Sequence, residues 1–185
     1  MAAYLESNRF DLEIRIADEG RPDLRKLVRV HTYSEGVVVD NERMRVTALR
    51  NLHPPIDESY ALKFELKDGK IIVFSGDTAY HPPLAEFASG ADYLVHEVML
   101  IPQLEKALQR NPAAKTLLQH LRASHTSTEE LGRLAAAAKP KNLVLTHFVP
   151  GGVESLTDED WLRDVRAAFL GSIIVGKDGL EIPLG

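Results

Sequence analysis

Three apolar runs in the second half of this 185-residue sequence end alike. Ile71-Ile72-Val73-Phe74-Ser75-Gly76 ends in Asp77, Asp92-Tyr93-Leu94-Val95 in His96-Glu97, and Asn142-Leu143-Val144-Leu145-Thr146 in His147. Helical segments separate them. PPLAEFAS opens on proline, which suits a first helical turn, and PQLEKALQRN and AAKTLLQHLRA have helical composition and spacing. STEELGRLAAAA follows a capping box, Thr126 with Glu129 or Ser127 with Glu130, and stops before Pro140. Strands joined by helices through right-handed crossovers lie parallel as neighbours. Their carboxyl ends then share one edge, where open α/β sheets hold ligands. Asp77, His96, Glu97 and His147 are therefore expected to converge.

Residues 1–75 read as β structure. DLEIRIA alternates from Asp11, GVVVD is a short apolar run, and MRVTALR alternates after the Asn41-Glu42 turn. YALKFEL and KIIVFSG flank Asp68-Gly69, a strong hairpin signal. Glu19-Gly20-Arg21-Pro22 is turn chemistry. Beyond the third run, Thr157 and Asp160 make a capping box for DEDWLRDVRAAFL, with Trp161 as a packing residue. GSIIVGKDGLEIPLG reads as a terminal hairpin around Asp178-Gly179. The pattern predicts one α/β domain over residues 1–185.

The chain has no cysteine, so disulfides, thiolate metal sites and cysteine nucleophiles are excluded. Its net charge of −5 is not that of a non-specific nucleic-acid binder. Arg21, Arg25, Lys26 and Arg29 form a modest basic cluster that reads as a solvated face. No run approaches a membrane span and the start has no signal-peptide pattern, so the expectation is a cytoplasmic protein without a membrane partner. Neither a Gly-x-Ser-x-Gly elbow nor a phosphate-binding glycine loop is present, which removes serine-hydrolase and nucleotide-binding readings.

The residue types at the shared edge suit metal-assisted hydrolysis. A bound Zn²⁺ lowers the pKa of water to about 7 and polarises a scissile ester or phosphodiester. Neutral imidazole and carboxylate are its usual ligands when thiolate is absent. A carboxylate at Asp77 can bridge two metals, and Gly76 permits close approach to a crowded centre. Two further histidines belong here: His53, just after MRVTALR, and His125, next to a capped helix start. His31, His81 and His120 read as loop or structural residues. A carboxylate such as Glu97 at a buried strand end is costly without a partner, which argues for a role.

FSGDT, LVHEV, SHTS and VLTHF, in this order, resemble the second half of metallo-β-lactamase-fold hydrolases of the ribonuclease Z and arylsulfatase-like branch, over roughly residues 35–185. The resemblance implies part of an αββα sandwich. It implies two zinc ions, with His53, Asp77 and His147 as ligands and Asp77 bridging. It also implies that His96, Glu97 and His125 act together in proton transfer to the leaving group. The substrate would be a small phosphodiester or ester, or an RNA 3′ end. The sequence departs from the family pattern in one respect: no His-x-His-x-Asp-His segment, which supplies most zinc ligands, is present. The resemblance therefore covers the C-terminal part of such an enzyme, and weak zinc binding is expected. The competing expectation is an inactive domain that buries its open sheet against a partner or in a homodimer.

Overall fold

The computed structural model describes residues 2–109 and 114–184. The end of the predicted helix PQLEKALQRN and the residues around Ala113 lie outside the described residues. The chain divides into two compact units, residues 1–33 and 34–185.

The first unit is helical: α1 (Ala2–Ser7), α2 (Arg9–Glu19) and α3 (Leu24–Leu27). The strand expected from DLEIRIA is thus corrected to a helix. Apolar residues at 12, 14 and 16 alternate, but a step of four is two strand periods and also one helical turn. The structure uses the second: Leu12 is buried, and Leu12 and Ile16 line one groove with Leu24, while Ile14 and Phe10 stay exposed. Arg15 supports the helix with ion pairs to Asp11 at 2.9 Å and Glu19 at 3.4 Å, each one turn away. The turn predicted at Gly20 forms, with φ +64° closing α2.

The second unit is built on one seven-stranded sheet whose strands lie in sequence order. β1 (Gly36–Asp40), β2 (Met44–Arg50), β3 (Tyr60–Leu66) and β4 (Ile71–Phe74) are antiparallel neighbours. β5 (Tyr93–Met99), β6 (Asn142–Val149) and β7 (Ser172–Val175) continue in parallel with β4. The connections carry α4 (Pro83–Phe87), then α5 (Ile101–Leu108), α6 (Ala114–Ser124) and α7 (Thr128–Ala138), then α8 (Asp158–Ala168). The α/β architecture expected for part of a metallo-β-lactamase sandwich is what forms.

Val73, Leu94, Leu143 and Leu145 of the sheet share one core with Leu131, Leu134 and Ala135 of α7 and with Trp161 and Val165 of α8. Gly132 allows α7 and α8 to touch, since a Cβ there would stand 2.8 Å from the Val165 carbonyl oxygen. Both capping boxes form, Ser127 with Glu130 and Thr157 with Asp160. The opposite sheet face carries Leu62 beside Phe74 and Phe64 beside Ile72, outside that core. The terminal hairpin does not form. The chain turns at Lys177–Leu180, but the described residues beyond it add no strand. Pro183 has no N–H to give a ladder, and its carbonyl instead accepts from the Tyr93 hydroxyl at 2.9 Å.

Candidate functional site

The parallel strands deliver Asp77, Glu97 and His147 to one edge. Asp77 follows β4 on a loop fixed from both sides. The Asn51 amide donates to the Ser75 carbonyl at 2.8 Å, and the Thr78 N–H donates to Glu97 Oε1 at 3.0 Å. Between them Gly76 takes φ +60°, and a Cβ there would stand 2.9 Å from the Tyr60 carbonyl oxygen. Only glycine meets both conditions without displacing the loop. The Asp77 carboxylate lies 3.8 Å from His53 Nε2 and 3.4 Å from His147 Nε2.

His53 sits in the loop after β2, where its carbonyl accepts from the Ile56 N–H at 2.8 Å. The loop is tied to the end of α6 by the Ser124 hydroxyl, which donates to the Pro54 carbonyl at 2.8 Å. His147 owes its direction to a bulge. Glu97 pairs with Thr146 and Val98 with Phe148, so His147 has no partner on β5 and takes φ +43°. A residue with a Cβ adopts that conformation only when its surroundings enforce it.

His125 lies between α6 and α7. Its ring stacks on His147 with centroids 5.5 Å apart and meets His53 edge-on at the same distance. Its Nδ1 is 3.1 Å from Glu97 Oε1. That oxygen also accepts the Thr78 and Thr126 N–H groups, and Glu97 is fully buried. The hydrogen bond to Glu97 raises the His125 pKa above the ordinary 6.5, opposed by burial and aided by the charges of Glu97 and Asp77. Glu97 Oε2 meets no partner among the described residues.

Five of the six residues singled out in the sequence are thus drawn together: His53, Asp77, Glu97, His125 and His147. His96 stands apart. It is buried on the core side of β5, because consecutive strand residues face opposite ways. Burial pushes its pKa down. Sequence reasoning gave no site role to Thr78 and Asn51 and took Thr126 only as a capping candidate, whereas all three hold the loops. Thr78 and Thr126 flank Asp77 and His125, a position that signals them; Asn51 has no such signal. His81 lies in the loop before α4 and His120 on the exposed face of α6, outside the cluster.

His53, Asp77 and His125 each offer a ligand atom, all within 4.8 Å of one another, and so do Glu97, His125 and His147. Imidazole and carboxylate at this spacing fit a divalent cation. The Glu97–His125 bond is also the arrangement by which a carboxylate orients an imidazole beside a metal.

The profile of the Beta-lactamase superfamily domain matches residues 8–148. The chain belongs to this family. Membership implies metal ions, and the donor clusters agree with it. Ribonuclease Z from Mycobacterium marinum is 30% identical over 176 residues, which cover 95% of this chain and 60% of that protein. Ribonuclease Z from Mycobacterium tuberculosis H37Rv is 28% identical over 176 residues, 62% of its length. The chain thus spans about three fifths of these relatives. The metallo-beta-lactamase fold protein YhfI from Bacillus subtilis superposes with a TM-score of 0.60 at 18% identity, covering 90% of this chain and 61% of that one. The short form of human tRNase Z gives 0.52 at 21% identity, covering 80% and 46%. Both show the fold. Among the described residues no helix is long and apolar enough to cross a membrane.

Proposed function

We propose that this chain is the catalytic-edge part of a zinc-dependent hydrolase of phosphodiesters, with an RNA 3′ end as the preferred substrate. The observation that carries this reading is the Asp77 carboxylate set between His53 and His147, with a Glu97-bound His125 stacked beside it. The relatives named ribonuclease Z support the substrate class. His53 and Asp77 would hold one ion, and Asp77 and His147 a second. Zinc bound there would polarise the scissile phosphate and lower the pKa of a water molecule. The chain's own part is proton transfer. As the oxygen of a water molecule bonds to phosphorus and gives up its proton to solvent, the P–O bond breaks and the departing oxygen takes a proton from His125, which stands 3.1 Å from the Glu97 carboxylate. Glu97 orients that ring and stabilises its charge. An RNA substrate suits a cytoplasmic site of action.

With His125 and Glu97 given to proton transfer, His53, Asp77 and His147 leave two ligands for each ion, short of the three protein ligands that a catalytic zinc ion usually has. This 185-residue chain is therefore expected to lose most of its zinc on dialysis and to turn over a generic phosphodiester slowly. Metal analysis of the dialysed protein checks it. About two tightly held zinc ions per chain would overturn the expectation of a weakened site.

The apolar face bearing Leu62, Phe64, Ile72 and Phe74 favours a second reading, a domain that self-associates. Phe74 is 43% exposed, and an open apolar sheet face is costly in water. Sedimentation across a concentration range is expected to show association that Phe74→Lys weakens. A monomer at every concentration would remove this reading.

A further inference from the structure

His96 is fully buried, yet its imidazole does little that packing requires. It lies on the same face of β5 as Leu94 and Val98, against the apolar core. An aliphatic side chain of similar volume would fill the slot without bringing a buried nitrogen. Its Nε2 has no hydrogen-bond partner among the described residues. Its Nδ1 has one, the carbonyl oxygen of Glu97 at 2.7 Å. A carbonyl only accepts, so Nδ1 carries the proton and Nε2 is left as a bare acceptor.

The position of that carbonyl gives the bond its meaning. It belongs to the peptide joining Glu97 to Val98, and the β5–β6 register slips between those two residues. The residue skipped by the slip is His147, held at φ +43° with its ring on His125 and its Nε2 3.4 Å from Asp77. A bulge disturbs ladder pairing at the place where it occurs. An imidazole fixed in the core and bonded to the peptide at the slip holds that peptide in the bulged arrangement. We infer that His96 is a positioning residue: it locks the β5 peptide opposite the bulge and so fixes His147 against Asp77 and His125. This replaces the expectation that His96 shares in proton transfer, since its ring faces the core and not the cluster.

The test separates donor from shape. Leucine at position 96 fills the core but cannot donate; asparagine can place an amide N–H near Nδ1. In the metal-free chain, the nuclear Overhauser contact between the His125 and His147 rings is expected in the parent and in His96→Asn, and is expected to be lost in His96→Leu. A folded His96→Leu that keeps the contact overturns the inference. So does unfolding of both His96→Leu and His96→Met, because the bond would then hold the sheet and not His147. Zinc titration gives a second readout, which rests on the reading of His147 as a ligand. His96→Leu is expected to weaken zinc binding about tenfold and to add nothing on top of His147→Ala. Additive losses overturn the inference. The ring contact needs no metal and no turnover, so its outcome stands apart from whether the chain is a hydrolase.

Discussion

Asp77→Ala is expected to remove measurable zinc binding and to lower kcat/KM on a generic phosphodiester by roughly a hundredfold or more, with the fold intact. Losing a group that only orients a metal ligand costs about 10- to 100-fold, and Asp77 stands where both candidate ions would meet it. Its carboxylate is the only acidic group within 4 Å of both His53 and His147 among the described residues. The expected stability change is small, for a structural reason. The Asp77 side chain is 38% exposed, and the loop around it is pinned by Asn51, Thr78 and Thr126 rather than by its own carboxylate. Asp77→Asn keeps the shape and loses the charge, so it should resemble alanine in zinc binding. Calorimetric zinc titration alongside urea denaturation checks the pair. An alanine variant that binds zinc as the parent does would remove Asp77 from the metal site and, with it, the hydrolase reading in its present form.

The candidate site was legible in sequence where its residues end strands. Parallel connectivity sends the C-terminal ends of β4, β5 and β6 to one edge, so Asp77, Glu97 and His147 could be grouped from chain order alone. His53 and His125 lie on loops, and only the resemblance to a family gave them roles. His96 was grouped with Glu97 by that logic, yet only Glu97 reaches the cluster. Adjacent strand residues point to opposite faces, and a pair written together in the sequence cannot share a site on one face. Alternation also failed at Leu12, Ile14 and Ile16, where a period of two contains the helical step of four. The terminal hairpin failed because a good turn at Asp178-Gly179 does not supply a partner strand. The bulge at His147 had no signature at all, since nothing in Thr146-His147-Phe148 announces a positive φ.

Glu97 carries the largest expected effect on stability. One buried oxygen accepts the Thr78 and Thr126 N–H groups and the His125 imidazole. Glu97→Leu would strand all three, and breaking a buried charged pair from one side costs about 3–5 kcal/mol. That is a large share of the roughly 5–15 kcal/mol by which domains are stable. Glu97→Gln keeps an acceptor and loses the charge, and it isolates the pH effect. The parent His125 pKa is raised chiefly by its hydrogen bond to Glu97. A raised folded pKa contributes stability that is fully present below the unfolded value, about 6.5, and is lost as pH rises through the folded value. The parent's advantage over Glu97→Gln, measured by urea denaturation of metal-free protein, should therefore be greatest on the acid side of neutrality and narrow as the solution becomes alkaline. The His125 ring proton, followed by NMR, should titrate at lower pH in the variant, because burial then acts without the opposing carboxylate. Turnover in Glu97→Gln is expected to fall by about 10²-fold or more, with its alkaline limb displaced toward acid. An advantage that widens with rising pH, or an unmoved His125 titration, would show that Glu97 does not govern the charge of this imidazole.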